Sequence, residues 1–231
     1  MTEVVLIRHG ETHENRSRTL QGQDPRRGRL TAAGIEQAAA AGRALAGERI
    51  DRAFCSPLER AVLTLARVLE ARPSDDCVPL FFPPALREID MGALHGKRRD
   101  DWLAAADAFG DRLHFTVEGG ESWHAVQARV GRWFDEAVRP LVDERALIVA
   151  HGGVIRGVLT HLTGQPMAIE WAGLAGGPPV GNGSICRIRL VDGAPVEVTA
   201  DDRRHLGVPG RGHRWDATLG EWRPIGAESN G

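Results

Sequence analysis

The chain reads as an α/β protein with three layers, a mostly parallel sheet flanked by helices on both faces. Three observations predict this. Short runs of aliphatic and β-branched residues, Val4–Ile7 and Ala146–Ala150, have the unbroken apolar character of strands buried on both sides. Stretches with helical spacing alternate with such runs, as they do when helices cover a parallel sheet. The 231 residues, 42% hydrophobic and 26% charged, fit a single α/β domain with a sizeable core.

Residues 3–8 form the first strand. Residues 13–30 are polar and rich in Arg, Gly and Gln, and read as a long loop. Thr31 is placed to cap a helix that runs through Ala-rich sequence to about Ala46. Arg52–Cys55 is a second short strand. Ser56-Pro57 opens the next helix, with Ser as cap and Pro in the first turn, and Leu58, Val62, Leu65, Ala66 and Leu69 as its core face. Residues 71–84 hold several prolines and one short strand near Val78–Phe82. Arg87–Lys97 is irregular, and residues 98–109 are weakly helical. Glu121–Val138 carries Trp123, Val126, Val130, Trp133 and Phe134 at helical spacing, which reads as core. Residues 146–150 form a strand, Val154–Leu162 a helix, and Gly183–Leu190 with Val196–Thr199 a closing strand pair. This organisation predicts one domain over residues 1–200, with cap elements near 13–30 and 94–118, and a C-terminal tail over 201–231 without a clear packing pattern.

Net charge and cysteine usage exclude several classes. A formal net charge of −2 provides no global field for nucleic acid or an anionic membrane. The three cysteines, Cys55, Cys77 and Cys186, are widely spaced without a CxxC, which argues against a disulfide framework or a zinc ribbon and for a reducing cytoplasm. The N-terminus has no signal-peptide pattern, and no apolar stretch approaches the roughly 20 residues that span a bilayer. No element marks an obligate interface, so a homodimer stays open.

Both apolar runs end in a His-Gly pair: Arg8-His9-Gly10 after the first and His151-Gly152-Gly153 after the second. Ligands of open α/β sheets bind beyond the carboxyl ends of the strands, so the two histidines are expected at one crevice. Arg8 is costly to bury without an anion. Gly10 lets the backbone turn and approach a ligand closely. Arg60, one turn into its helix, points back toward the same edge. Two arginines and two histidines converging there make a pocket for a dianion such as phosphate. Two histidines and a glutamate could also form a zinc triad, but the adjacent arginines would repel the cation.

Leu6-Ile7-Arg8-His9-Gly10-Glu11-Thr12 resembles the signature of the histidine phosphatase superfamily, the phosphoglycerate mutase-like enzymes. Three further stretches resemble it in the same order: Cys55-Ser56-Pro57-Leu58-Glu59-Arg60-Ala61, Leu86-Arg87-Glu88-Ile89-Asp90-Met91-Gly92, and Ala150-His151-Gly152-Gly153-Val154-Ile155-Arg156. Gly119-Gly120-Glu121-Ser122 is similar to the family's Gly-Glu-Ser stretch. The resemblance covers roughly residues 3–200.

It implies that His9 is the nucleophile that becomes phosphohistidine, with Arg8, Arg60 and His151 stabilising the transferring phosphoryl group and Glu88 protonating the leaving oxygen. Asn15, Gln21 and Gly22 are the further phosphate-binding candidates. No metal or other cofactor is required, because the arginines supply the positive charge. The implied partner is a small-molecule phosphoester, and Arg16, Arg18, His95 and Lys97 are the candidates for a second anionic group on it. Arg26, Arg27 and Arg29 read as a solvated loop or as the pocket entrance, and Arg203-Arg204 as surface.

The family contains mutases and phosphatases. Leu94-His95-Gly96 departs from the Trp-Glu-Gly of many of its phosphatases, which leans toward a mutase. Met91 stands where the mutases carry Tyr, the segment from Glu88 to His151 is short and lacks their Arg pair, and Glu14 replaces the family's usual Trp. The balance favours a phosphatase acting through phosphohistidine on His9, with a cofactor-dependent phosphoglycerate mutase as the alternative and a non-catalytic phospho-ligand module third.

Overall fold

The computed structural model describes residues 1–72, 77–167, 177–208 and 212–226. Eight strands form one sheet in the order β3-β2-β4-β1-β5-β6-β7-β8. They are β1 (Thr2–Arg8), β2 (Arg52–Cys55), β3 (Leu80–Phe81), β4 (Arg145–Ala150), β5 (Ile185–Val191), β6 (Ala194–Asp202), β7 (His213–Asp216) and β8 (Glu221–Pro224). The first four are mutually parallel, and from β5 onward each strand pairs antiparallel with its neighbour. The sheet is therefore mostly, not purely, parallel.

β1 and β4 lie side by side at the centre, in a register that pairs Val4 with Ala146 and Arg8 with Ala150. Their unbroken apolar runs follow from burial on both faces. Val4, Leu6, Ala146, Ile148 and Ala150 face one core, and Val5, Ile7, Leu147 and Val149 face the other. Helices α2 (Ala32–Ala44) and α3 (Glu59–Ala71) cover the second core. Helices α5 (Trp123–Ala137) and α6 (Gly152–Thr163) cover the first, with α4 (Arg99–Phe109) packing beside them through Trp102 and Ala106.

The structure corrects several local expectations. The 13–30 segment is not all loop: α1 (His13–Ser17) is a single turn closed by a capping box between Thr12 and Asn15. Helix α3 starts at Glu59, later than Ser56-Pro57 suggests, and its buried face is Arg60, Ala61, Thr64, Leu65 and Val68, with Ala66 exposed. The Val78–Phe82 strand shrinks to Leu80–Phe81 at the sheet edge, exposed on both residues. In the segment after Asp201, β7 and β8 form a hairpin that extends the sheet, with Trp215 and Trp222 in ring contact at 5.6 Å. Residues 209–211 and 227–231 of that segment lie outside the described residues. Among the described residues no helix is long and apolar enough to cross a membrane.

Gly10 serves a different purpose from the sharp turn expected of it. It faces Gly34 in the first turn of α2, so closely that a Cβ on Gly10 would overlap the Gly34 carbonyl and one on Gly34 the Glu11 carbonyl. This contact docks α2 against the turn that carries His9. Neither neighbour is the far end of a flexible chain, so Gly34→Ala has to shift backbone. We expect a loss of about 2–3 kcal/mol, read as a lower urea midpoint at unchanged m; an unchanged midpoint would show that the contact is not limiting.

Candidate active site

The register of β1 and β4 carries the two histidines to the same sheet edge. His9 donates its backbone N–H to the Ala150 carbonyl at 2.9 Å, and the imidazoles of His9 and His151 lie 5.2 Å apart at 59°. Both residues are buried, 2% and 0% exposed.

Hydrogen bonds set the tautomer of each ring. Nδ1 of His9 lies 2.7 Å from the Gly10 carbonyl oxygen, which can only accept. Nδ1 therefore carries the proton, and Nε2 keeps its lone pair. In His151 the assignment is reversed. Its Nδ1 accepts from Arg60 Nε at 3.2 Å, so its proton is on Nε2, which donates to Ser56 Oγ at 2.7 Å. Ser56 thus orients a histidine as well as accepting the Leu58 N–H at 3.3 Å, while α3 begins beyond it without a side-chain cap.

Arg60 is 2% exposed, and its second hydrogen bond goes to the Gly22 carbonyl at 2.8 Å. Arg8 donates Nη1 to the Val180 carbonyl at 2.6 Å, while its buried Nε has no hydrogen-bond partner. All these acceptors are neutral. Burial pushes Arg8 down to about 9, with Arg156 adding to the effect, and Arg60 down to about 10. Both stay charged at neutral pH. Both histidines are held well below their ordinary 6.5, first by burial and then by the charges of Arg60 and, more weakly, Arg8.

A cavity of about 400 Å³ opens at this edge. Arg8, His9, Asn15, Gln21, Gly22 and Glu88 line it, so the structure gathers these sequence candidates in one place. Arg60 and His151 sit behind the wall rather than on it. Arg60 reaches it through Gly22, and His151 through the His9 ring.

Asn15 Oδ1 is occupied by Thr12 N–H, Thr12 Oγ–H and Asn182 Nδ2, which leaves the Asn15 amide NH₂ for the cavity. Gln21 Oε1 lies 3.1 Å from the same Thr12 hydroxyl, whose single proton serves either it or Asn15. Glu88 accepts from its neighbour Ile89 N–H at 3.0 Å and from Gly153 N–H, in the first turn of α6, at 3.2 Å. A side chain at position 153 would collide with the Glu88 carboxylate and with Trp123. The Gly153 of the sequence block is therefore what lets Glu88 reach α6.

The candidates for a second anion are placed differently from expectation. His95 Nε2 accepts backbone N–H groups from Gln23 and Met91 at 3.2 and 3.3 Å, so it fastens two loops together. Arg16 pairs with Glu11 at 2.7 Å, and neither Arg18 nor Lys97 is on the cavity wall. Arg26 and Arg27 both pair with Asp24, which the Arg26 hydrogen bonds, helped by the two arginine charges, hold down at about 2.

The arginines on the wall besides Arg8 are Arg99, Arg156 and Arg203. Arg156 could have been found from its spacing, one helical turn after Gly152. Arg203 was hidden in the tail: it pairs with Asp201 at 3.1 Å and turns inward, while its neighbour Arg204 pairs with Asp202 on the surface. Asn182, which donates to the His9 carbonyl at 3.1 Å, lies in a segment where the sequence offers no periodicity to flag it.

Neutral burial of both histidines links stability to pH with a definite sign. The unfolded chain takes up protons as pH falls through 6.5, whereas the fold holds these rings neutral. Their contribution is therefore fully present above 6.5 and is lost as pH drops below it. Urea titrations from pH 7.5 to 5.5 in phosphate-free buffer should show a decline that is shallower in His9→Asn. Parallel declines would mean that His9 is not held neutral.

A model of the histidine phosphatase superfamily (branch 1) matches residues 4–203. A 2,3-bisphosphoglycerate-dependent phosphoglycerate mutase of Methylobacterium sp. (strain 4-46) is 37% identical over 173 residues, covering 70% of this chain and 80% of that protein. Fructose-2,6-bisphosphatase TIGAR of Xenopus tropicalis is 31% identical over 145 residues, 61% of this chain and 51% of its own length. The crystal structure of a putative α-ribazole-5'-P phosphatase from Escherichia coli superposes with a TM-score of 0.72 at 28% identity, covering 90% of this chain and 100% of that one. These relatives include both phosphatases and mutases. The family match runs from the strand that leads into His9 to the segment that carries Arg203, so the whole cavity wall falls inside it, and the chain belongs to branch 1 of the histidine phosphatase superfamily.

Proposed function

We propose that this chain hydrolyses a small phosphomonoester through a phosphohistidine on His9. The observation that carries this reading is the state of His9: neutral, with its proton fixed on Nδ1 and its basic Nε2 on a ring lining a cavity flanked by the half-buried Arg8 and buried Arg60 guanidinium groups. A neutral imidazole is the nucleophile that phosphorus requires. The Nδ1–H bond to the Gly10 carbonyl becomes stronger as the ring gains positive charge, so it favours the transition state over the ground state.

In the first half-reaction Nε2 attacks phosphorus. The N–P bond forms while the bond from phosphorus to the leaving oxygen breaks, and Glu88 gives that oxygen its proton. Arg8 and Arg60, with the Nε2–H of His151 once it turns from Ser56, neutralise the phosphoryl oxygens. In the second half-reaction Glu88, now a carboxylate, takes a proton from water. Water oxygen bonds to phosphorus, the N–P bond breaks, and inorganic phosphate leaves with His9 neutral again. The cavity's size suits a small metabolite.

The mutase relative, at 37% identity, favours a second reading, in which an acceptor hydroxyl replaces water. Met91 on the cavity wall, in a chain without any tyrosine, supports hydrolysis, given the tyrosine of the mutases. Incubation with 3-phosphoglycerate, with and without 2,3-bisphosphoglycerate, separates the two. Release of inorganic phosphate is expected, and formation of 2-phosphoglycerate instead would establish the mutase.

A screen of phosphorylated metabolites for phosphate release should find substrates that His9→Ala no longer turns over; retained turnover would refute the role of His9. Glu88→Gln should lower kcat/KM on an alkyl phosphate by about 10²-fold, and far less on p-nitrophenyl phosphate, whose leaving group needs no proton. Equal losses on both would remove Glu88 from the proton-donor role.

A further inference from the structure

We propose that Glu121, Arg129 and Gln23 are positioning residues that hold Glu88 in place for proton transfer. The proposal rests on the reading of Glu88 as the proton donor. Glu88 sits between two short 3₁₀ turns, Pro84–Leu86 and Gly92–Leu94, on backbone that belongs to no helix or strand. Regular secondary structure therefore does not fix it, and something else must, because proton transfer tolerates little misplacement.

Arg129 supplies most of that restraint. Its Nη1 donates to the Ala85 carbonyl at 2.6 Å, and its Nη2 to the Glu88 carbonyl at 3.3 Å. The same guanidinium forms a two-pronged pair with Glu121, Nε to Oε1 and Nη2 to Oε2, both at 2.8 Å. Glu121 Oε2 also accepts the Asp90 backbone N–H at 3.1 Å. The acid-bearing segment is thus held at Ala85, Glu88 and Asp90 by one ion pair.

The base of this clasp is rigid. Glu121 immediately precedes Ser122, the N-cap of α5, and Arg129 lies two turns along that helix, whose other face is buried through Trp123, Val126, Val130 and Phe134. The pair is largely shielded, 25% and 19% exposed, and bidentate, so it is not the weak surface type.

Gln23 closes the clasp from the opposite side. Its Nε2 donates to the Glu88 carbonyl at 2.8 Å and approaches Glu121 Oε2 at 3.5 Å. It follows Gln21 and Gly22, which line the cavity, so it ties the phosphate side of the pocket to the acid side. Neither Glu121, Arg129 nor Gln23 lines the cavity itself.

The test compares kcat/KM, which reports the transfer to His9, for an alkyl phosphate and for p-nitrophenyl phosphate. Glu121→Gln and Gln23→Ala should each lower kcat/KM on the alkyl phosphate about ten-fold or more, and change it less than about two-fold on p-nitrophenyl phosphate. Glu88→Gln combined with Glu121→Gln should be no slower than Glu88→Gln alone. Equal losses on both substrates, or a further loss in the double variant, would make the clasp merely structural and overturn the proposal. Should Glu121→Gln fail to fold, Gln23→Ala, a loop variant, gives the same reading. If Glu88→Gln shows the leaving-group dependence and the clasp variants do not, the positioning role alone fails. If Glu88→Gln lacks it, the role of Glu88 fails first and the positioning role with it.

Discussion

Two positive charges held at the sheet edge with no carboxylate in hydrogen-bond contact, Arg60 buried and Arg8 half-buried, are the constraint on which the rest depends. Arg8 and Arg60 spend their hydrogen bonds on Val180, Gly22 and His151, all neutral acceptors, and Arg8 Nε has none. Holding a guanidinium out of water with no carboxylate in contact costs free energy that the more distant charge of Glu88 only partly offsets. The fold sustains that cost in a pocket whose wall also carries the Asn15 amide as a donor. Asn15 has its oxygen committed inward, which leaves its NH₂ group outward. An anion in the pocket would give Arg8 and Arg60 the charged partner that their hydrogen bonds lack, which is the physical basis of the proposed reading.

The same charges set the histidines. An imidazolium between two guanidinium groups is doubly disfavoured, by burial and by repulsion, so both rings stay neutral. Neutrality alone would leave either ring able to attack. The hydrogen bonds break the symmetry. His9 has its proton turned to its own backbone, whereas His151 accepts from Arg60 on Nδ1 and is left with a donor at Nε2. Two histidines that look equivalent at the ends of two adjacent strands thus differ at Nε2, which keeps a lone pair in His9 and carries a proton in His151.

Much of this was legible in the sequence, for physical reasons that can be named. β1, β2 and β4 read correctly because a central parallel strand must be apolar on both faces, and Thr31 marks a helix start because an orphan N–H needs an acceptor. Features that depend on tertiary contact did not read. The turn at His13–Ser17 has no apolar face and exists because Thr12 and Asn15 cap each other. Ser56 looked like a helix cap, but its hydroxyl is claimed by a histidine 95 residues away. Gly10 looked like a turn that lets the backbone approach a ligand and is a contact with Gly34. Arg203 reaches the cavity from a segment whose hairpin carries no strong alternation, and His95 is turned from the ligand by two backbone N–H groups that no sequence pattern announces.

The central claim is that His9, through Nε2, carries the phosphoryl group, and that His151 never does. Mixing enzyme with a turned-over phosphoester, stopping in alkali to preserve the acid-labile N–P bond, and locating the phosphate by peptide mass spectrometry and phosphorus NMR tests it most directly. The account predicts a single Nε2-phosphohistidine on the peptide containing His9, absent in His9→Ala and present in His151→Ala. Label on His151, on Nδ1 of His9, or on no histidine during active turnover would contradict it.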